Sequence, residues 1–275
     1  MSFPGQFLNH RRTPVDRPRL TMPTPRLIAR LDVKAPNLVK GIHLEGLRIM
    51  GDPQTFAHRY FADGIDEILY VDIVASLYGR NNILDVVRRA AEDVFIPLTV
   101  AGGLRSVEDV RDALRSGADK VAINTAAVAD PELIRRVAEA FGSQCVVVEV
   151  QTKRVGPERW EAYTDNGRER SGLDALEWAS RAVELGAGEL LVTSVDREGT
   201  RKGFELEFLR QLTRVVSVPV IACGGAGGAA DILQAIVEGG ADAVAVASIL
   251  HYGTCSVGAI KAALSEAGVA VRSAP

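Results

Sequence analysis

A chain of 275 residues, 47% hydrophobic and with a formal net charge of −3 at pH 7, holds enough apolar material for one sizeable core and has no general attraction for nucleic acid or acidic membranes. No apolar run approaches the roughly 20 residues of a membrane span, and the N-terminus lacks the apolar stretch of a secretion signal. Cys145, Cys223 and Cys255 show no metal-ligand spacing, so they read as reduced thiols in a cytoplasmic protein that holds no metal.

Residues 1–24 are rich in Pro, Arg and Thr without periodicity and read as a flexible tail, leaving 25–275 as one domain. In chain order, β-branched and small apolar runs predict strands over 27–32, 67–72, 97–101, 120–124, 145–151, 189–196, 219–223 and 243–247. Amphipathic stretches between them predict helices, clearest over 107–116, 131–141, 174–185, 206–216 and 229–238. Such alternation predicts a (β/α)8 TIM barrel, with ligand sites on the loops that follow the strands. A doubly wound open sheet would place a glycine-rich loop after its first strand, and this chain has none there.

The chain also repeats itself. Gly117-Ala118-Asp119-Lys120 matches Gly240-Ala241-Asp242-Ala243, and Asp66-Glu67-Ile68-Leu69 matches Gly188-Glu189-Leu190-Leu191, which predicts two similar half-barrels. Each half carries a candidate phosphate grip. One is Gly102-Gly103 with Asn124-Thr125, the other Gly224-Gly225 with Ala247-Ser248. Glycine lets bare backbone approach a ligand, and a small residue opening a helix presents unpaired N–H groups to an anion. Two grips suit a ligand with two phosphates.

A family resemblance rests on particular residues. Leu31-Asp32-Val33-Lys34 with Val39-Lys40-Gly41, then Gly51-Asp52-Pro53, Asp72 to Ser76, Asn124 to Ala127, Phe141 to Gln144, Thr193 to Thr200 and Gly268 to Arg272 resemble the cyclase subunit of imidazole glycerol phosphate synthase. The likeness runs from about Arg26 to Arg272, in order and without large gaps. It implies an enzyme of histidine biosynthesis that needs no cofactor. Ammonia from a separate glutaminase subunit would cleave a bis-phosphorylated ribulosyl-formimino carboxamide ribotide and close an imidazole ring. The resemblance puts substrate contacts at Lys40, on a first loop that folds over substrate, and at Asp196, Glu198, Gly199 and Thr200, beside the two grips.

It also puts catalytic carboxylates at the ends of the first and fifth strands. Asp32 fills the first position. Gln151 stands at the second, and an amide cannot take a proton at neutral pH. One pleat deeper lie Arg30 and Glu149, which predict an ion pair across the barrel axis. At the opposite mouth, Arg26, Glu67, Lys120 and Glu189 match the family's charged ammonia gate, and Asp119 matches a residue of its glutaminase-docking face. Asp72 reads either as a substrate-orienting group or as a cap on its own loop, and His251, near the second grip, as a weak ligand candidate for which a surface or packing role is favoured. A rival reading is a divergent paralogue that keeps the glutaminase face and supplies ammonia for another amidation, such as that of a surface sugar, with cyclase activity lost.

Overall fold

The computed structural model describes residues 24–75 and 83–272, so residues 1–23 of the expected tail lie outside the described residues. Its strands are β1 (Arg26–Lys34), β2 (Asn37–Ile42), β3 (Glu45–Gly51), β4 (Glu67–Asp72), β5 (Leu98–Ala101), β6 (Lys120–Ile123), β7 (Val146–Gly156), β8 (Arg159–Thr164), β9 (Glu169–Asp174), β10 (Glu189–Ser194), β11 (Val220–Cys223) and β12 (Ala243–Val246). Eight of them, β1-β4-β5-β6-β7-β10-β11-β12, pair in parallel, and β12 pairs back onto β1 to close a (β/α)8 barrel. Both faces of these strands are covered, which is why they read as nearly continuous apolar runs. Leu27, Ala29 and Leu31 pack toward the surrounding helices, while Ile28 joins the apolar cluster inside the barrel.

The helices start where short polar side chains cap them. Ser106 Oγ accepts the amide of Asp109 at 3.1 Å ahead of the helix Val107–Arg115, and Asp174 accepts those of Leu176 and Glu177 at 2.9 and 3.1 Å ahead of Ala175–Glu184. Three aspartates just ahead of strands have a related task. Asp66, Asp119 and Asp242 each accept the amide that opens a neighbouring strand, from Leu27 at 2.7 Å, Leu98 at 2.8 Å and Val220 at 2.9 Å. Asp119 therefore fixes strand register as well as facing solvent.

Two antiparallel hairpins absent from the sequence reading rise from the C-terminal rim: β2–β3 after β1, and β8–β9 after β7. β3 is largely exposed and has no apolar alternation to announce it. The β8–β9 turn, Asp165-Asn166-Gly167, puts all three residues at positive φ, a conformation that Asn, Asp and Gly tolerate best.

Inside the barrel one layer is charged. The Arg30 Nε donates to Asp32 Oδ1 at 2.8 Å, and its Nη1 lies 3.3 Å from Glu149 Oε1. The expected pair across the axis is thus a triad, and Asp32, two residues along the same strand, is the closer partner of Arg30. All three groups are buried, so each charge depends on the others for the solvation that it has lost. In denaturant unfolding, Arg30→Met should cost about 3–5 kcal/mol, because it removes the cation that two buried carboxylates share. Glu149→Leu should cost less, since Arg30 keeps Asp32, and the double variant should cost less than the sum of the two. Strictly additive losses would show the contact between Arg30 and Glu149 to be energetically idle.

Candidate functional site

The two halves build their rims alike. Gly102 and Gly103 after β5 have φ of 90° and 74°, and Gly224 and Gly225 after β11 have 91° and 112°. The residues that close β6 and β12 match more tightly: Asn124 sits at φ −129°, ψ −83°, and Ala247 at −132°, −74°. Each opens a short helix, Thr125–Ala129 or Ser248–His251. A side chain at Gly102 would place Cβ 2.2 Å from the Asp72 carbonyl oxygen, and one at Gly225 would place it 2.2 Å from that of Gly203. Only glycine fits either loop.

The halves differ in what covers them. A cavity of about 480 Å³ opens over the first grip, lined by Asp72, Gly102, Gly103, Asn124, Thr125, Glu149 and Gln151 among others, with Asp165 and Asn166 of the β8–β9 turn on its edge. The Asn124 Nδ2 donates to the Tyr163 carbonyl at 3.1 Å, and Thr125 Oγ1 accepts the Asp165 amide at 3.1 Å. Both side chains are therefore spent on the hairpin. Over the second grip only about 20 Å³ remains, between Gly224, Gly225, Ala247, Ser248, Lys40, Glu198 and Gly199. The β2–β3 hairpin covers it. His43 N donates to the Glu198 carbonyl at 3.1 Å, Leu44 N donates to Glu198 Oε2 at 2.9 Å, and Lys40 forms an ion pair with the Glu198 carboxylate.

Asp32, on β1, is buried between Arg30 and Lys40. Burial alone would raise its carboxyl, but the Arg30 guanidinium and the Lys40 ammonium, 3.6 Å away, outweigh burial and hold it below the usual carboxylate range. It is ionised throughout the neutral range. Asp72 is the opposite case. Burial pushes its carboxyl up against the pull of the Val74 and Ala75 amides, and Oδ1 caps its own loop by accepting Val74 N at 3.1 Å. Gln151 is buried, with Nε2 donating to Glu149 Oε2 at 3.1 Å. Its Oε1 has no partner among the described residues.

Other expected site residues turn elsewhere. Asp196 is exposed and accepts the Arg154 amide at 2.8 Å, and Thr200 Oγ1 donates to the Arg197 carbonyl at 2.7 Å, so both brace the loop after β10. His251 packs, as expected, in a stack on Tyr60 whose ring centroids are 5.8 Å apart. Burial lowers it to about 4 and keeps it neutral. Thr193 was not foreseen. Its Oγ1 donates to Glu149 Oε1 at 2.8 Å, a contact that needs the β7–β10 pairing and has no local signal.

At the N-terminal mouth the four charges form a closed ring. Arg26 bonds Glu67 at 2.8 Å and also Glu189, and Lys120 bonds the same two carboxylates at 2.8 and 2.9 Å. Burial would raise Glu67, but Arg26 and Lys120 hold it below its ordinary value. Among the described residues no helix is long and apolar enough to cross a membrane, and no cluster of three or more His, Cys, Asp or Glu could hold a metal ion.

Comparison with known proteins agrees with this architecture. Residues 26–256 match the family described as histidine biosynthesis protein. Imidazole glycerol phosphate synthase subunit HisF of Legionella pneumophila is 59% identical over 202 residues, which cover 74% of this chain and 95% of that protein. The subunit of the same name from Myxococcus xanthus (strain DK1622) is 54% identical over 252 residues, covering 92% of this chain and 99% of that one. Identity at this level over most of both chains shows that the protein belongs to the histidine biosynthesis family and, within it, to the HisF subunits of imidazole glycerol phosphate synthase.

Proposed function

We propose that this chain is the cyclase subunit of an imidazole glycerol phosphate synthase, acting on a bis-phosphorylated ribulosyl-formimino carboxamide ribotide with ammonia from a glutaminase subunit. The observation that carries the reading is the pair of geometrically matched glycine grips, one per half-barrel, on either side of an ionised Asp32. A substrate with a phosphate at each end spans such a mouth and lays its reacting middle over the carboxylate. The backbone of Gly102, Gly103, Asn124 and Thr125 would hold one phosphate, and that of Gly224, Gly225, Ala247 and Ser248 the other. Lys40, Glu198 and Gly199 would close over the second.

The chemistry is condensation followed by cleavage. Ammonia adds to the ribulosyl ketone, and the ketone oxygen leaves as water. The new nitrogen then attacks the formimino carbon and expels the ribotide amine. Three protons leave the ammonia nitrogen, two in the water and one to the departing amine, whose other proton comes from the methylene beside the ketone. Asp32, being ionised, is the base for that methylene. The paired ring of Arg26, Glu67, Lys120 and Glu189 would gate ammonia arriving from a glutaminase docked on that face, with Asp119 at its edge.

One observation favours the ammonia-supplying paralogue as a second reading. Gln151 stands where a proton carrier is expected and cannot serve as one. Incubating the purified chain with ammonium and the ribulosyl substrate separates the readings, since imidazole glycerol phosphate forms only under the first. In that assay Asp32→Asn should lower turnover by roughly 10²–10⁴-fold with the fold retained, and wild-type turnover in the variant would make Asp32 structural. Gly225→Ala should weaken a bis-phosphate ligand by at least roughly tenfold, about 1.4 kcal/mol, because its Cβ must displace the Gly203 carbonyl. Calorimetric titration reads this directly, and unchanged affinity would remove the loop from the site.

A further inference from the structure

The cyclase reaction proposed above gives Asp32 a proton to remove but leaves the proton shed by ammonia without a carrier. Glu149 is placed to take it. It lies on β7, two residues below Gln151 and on the same inward face, and it lines the 480 Å³ cavity with the first phosphate grip. Its carboxylate is held at both oxygens. Thr193 donates to Oε1 at 2.8 Å, and Gln151 donates to Oε2 at 3.1 Å. The amide of Gln151 thereby gives one N–H to Glu149 and presents Oε1, buried and unpartnered among the described residues, as a free acceptor. A nitrogen nucleophile has N–H groups to give such an acceptor. Held there, it would lie beside the Glu149 carboxylate, the hydrogen-bonded neighbour of Gln151, which can accept a proton.

We propose that Glu149 is a catalytic residue of the cyclase reaction, carrying the proton that ammonia sheds, and that Gln151 orients the ammonia nitrogen beside it. As the carbon–nitrogen bond forms, the carbonyl electron pair moves to oxygen and Glu149 takes a proton from nitrogen. When the bond from the formimino carbon to the ribotide nitrogen breaks, that nitrogen keeps the electron pair and receives the proton back from Glu149. No oxidant or reductant takes part. The strand-end position has become an orienting amide, and the proton-bearing group has moved one pleat inward.

The test is steady-state turnover of the purified chain in saturating ammonium, which needs no glutaminase. Glu149→Gln, nearly equal in size, should lower kcat by roughly 100-fold or more, with substrate KM within about threefold of wild type. Glu149→Asp keeps the charge that balances Arg30 but withdraws the carboxylate, and should fold and lose at least roughly tenfold in kcat. The double variant Glu149→Gln with Gln151→Asp should regain at least roughly tenfold of the lost kcat, because a carboxylate returns within reach of the same nitrogen. A merely structural glutamate predicts no such rescue. Wild-type kcat in Glu149→Gln or in Glu149→Asp, or a loss that appears in substrate KM and is not rescued, overturns the proposal alone. No product from the wild-type chain overturns the cyclase reading and this proposal with it.

Discussion

A guanidinium inside a closed barrel is tolerable only while carboxylates surround it, and this constraint sets the chemistry of the mouth. Arg30 contacts Asp32 and Glu149 together, so the cation cannot be lost without leaving two buried carboxylates poorly compensated in a medium that solvates them poorly. Its positive charge fixes the protonation state of Asp32, which desolvation would otherwise raise. Lys40 adds to the same effect, and because Lys40 is also paired with Glu198 it ties the β2–β3 hairpin to the loop after β10. One buried cation therefore sets the ionisation of Asp32, and a second links Asp32 to the hairpin that covers Gly224 and Gly225.

The half-barrel symmetry is preserved in the backbone and broken in the side chains. Asn124 at φ −129°, ψ −83° and Ala247 at φ −132°, ψ −74° nearly coincide although their side chains have little in common, as expected if the main chain is what meets the ligand. The hairpins then make the two ends unequal. β8–β9 is held by Asn124 and Thr125 at the side of its grip and leaves a wide cavity, whereas β2–β3 lies across the other. An open end and a covered end suit entry of a long substrate from one side, with its far phosphate seated under the hairpin.

The barrel strands were legible because each is largely apolar and is punctuated by glycine or by a strand-opening aspartate, so their limits fall within one or two residues of the expected ones, apart from the far end of β7, which runs on into the β8 hairpin. The grips and the charged ring were legible because they recur or alternate in sign along the chain. What escaped was non-local. The hairpins carry little apolar alternation, and Thr193, Asp165 and Asn166 reach the site only through pairing of elements tens of residues apart. Arg30 and Glu149 were legible as opposite charges at one depth. That Arg30 leans more closely on Asp32 was not, because inward neighbours on one strand are ordinarily kept apart by the pleat, and only a side chain as long as arginine folds back to bridge them.

The two charged layers are separated by an apolar one. Between the ring of Arg26, Glu67, Lys120 and Glu189 and the layer of Arg30 and Glu149, the inward residues include Ile28, Leu69, Val147 and Leu191. A charged ammonium ion would have to shed its water to pass them, at a cost of many kcal/mol, whereas neutral ammonia loses only a few hydrogen bonds. Ammonia travelling this axis, as the proposed glutaminase partnership requires, therefore arrives unprotonated. In the deeper layer stand the Glu149 carboxylate and, without a hydrogen-bond partner among the described residues, Oε1 of Gln151 and Nη2 of Arg30. These can accept its protons and donate to its lone pair, a chemistry that suits a receiving site for ammonia better than a plug.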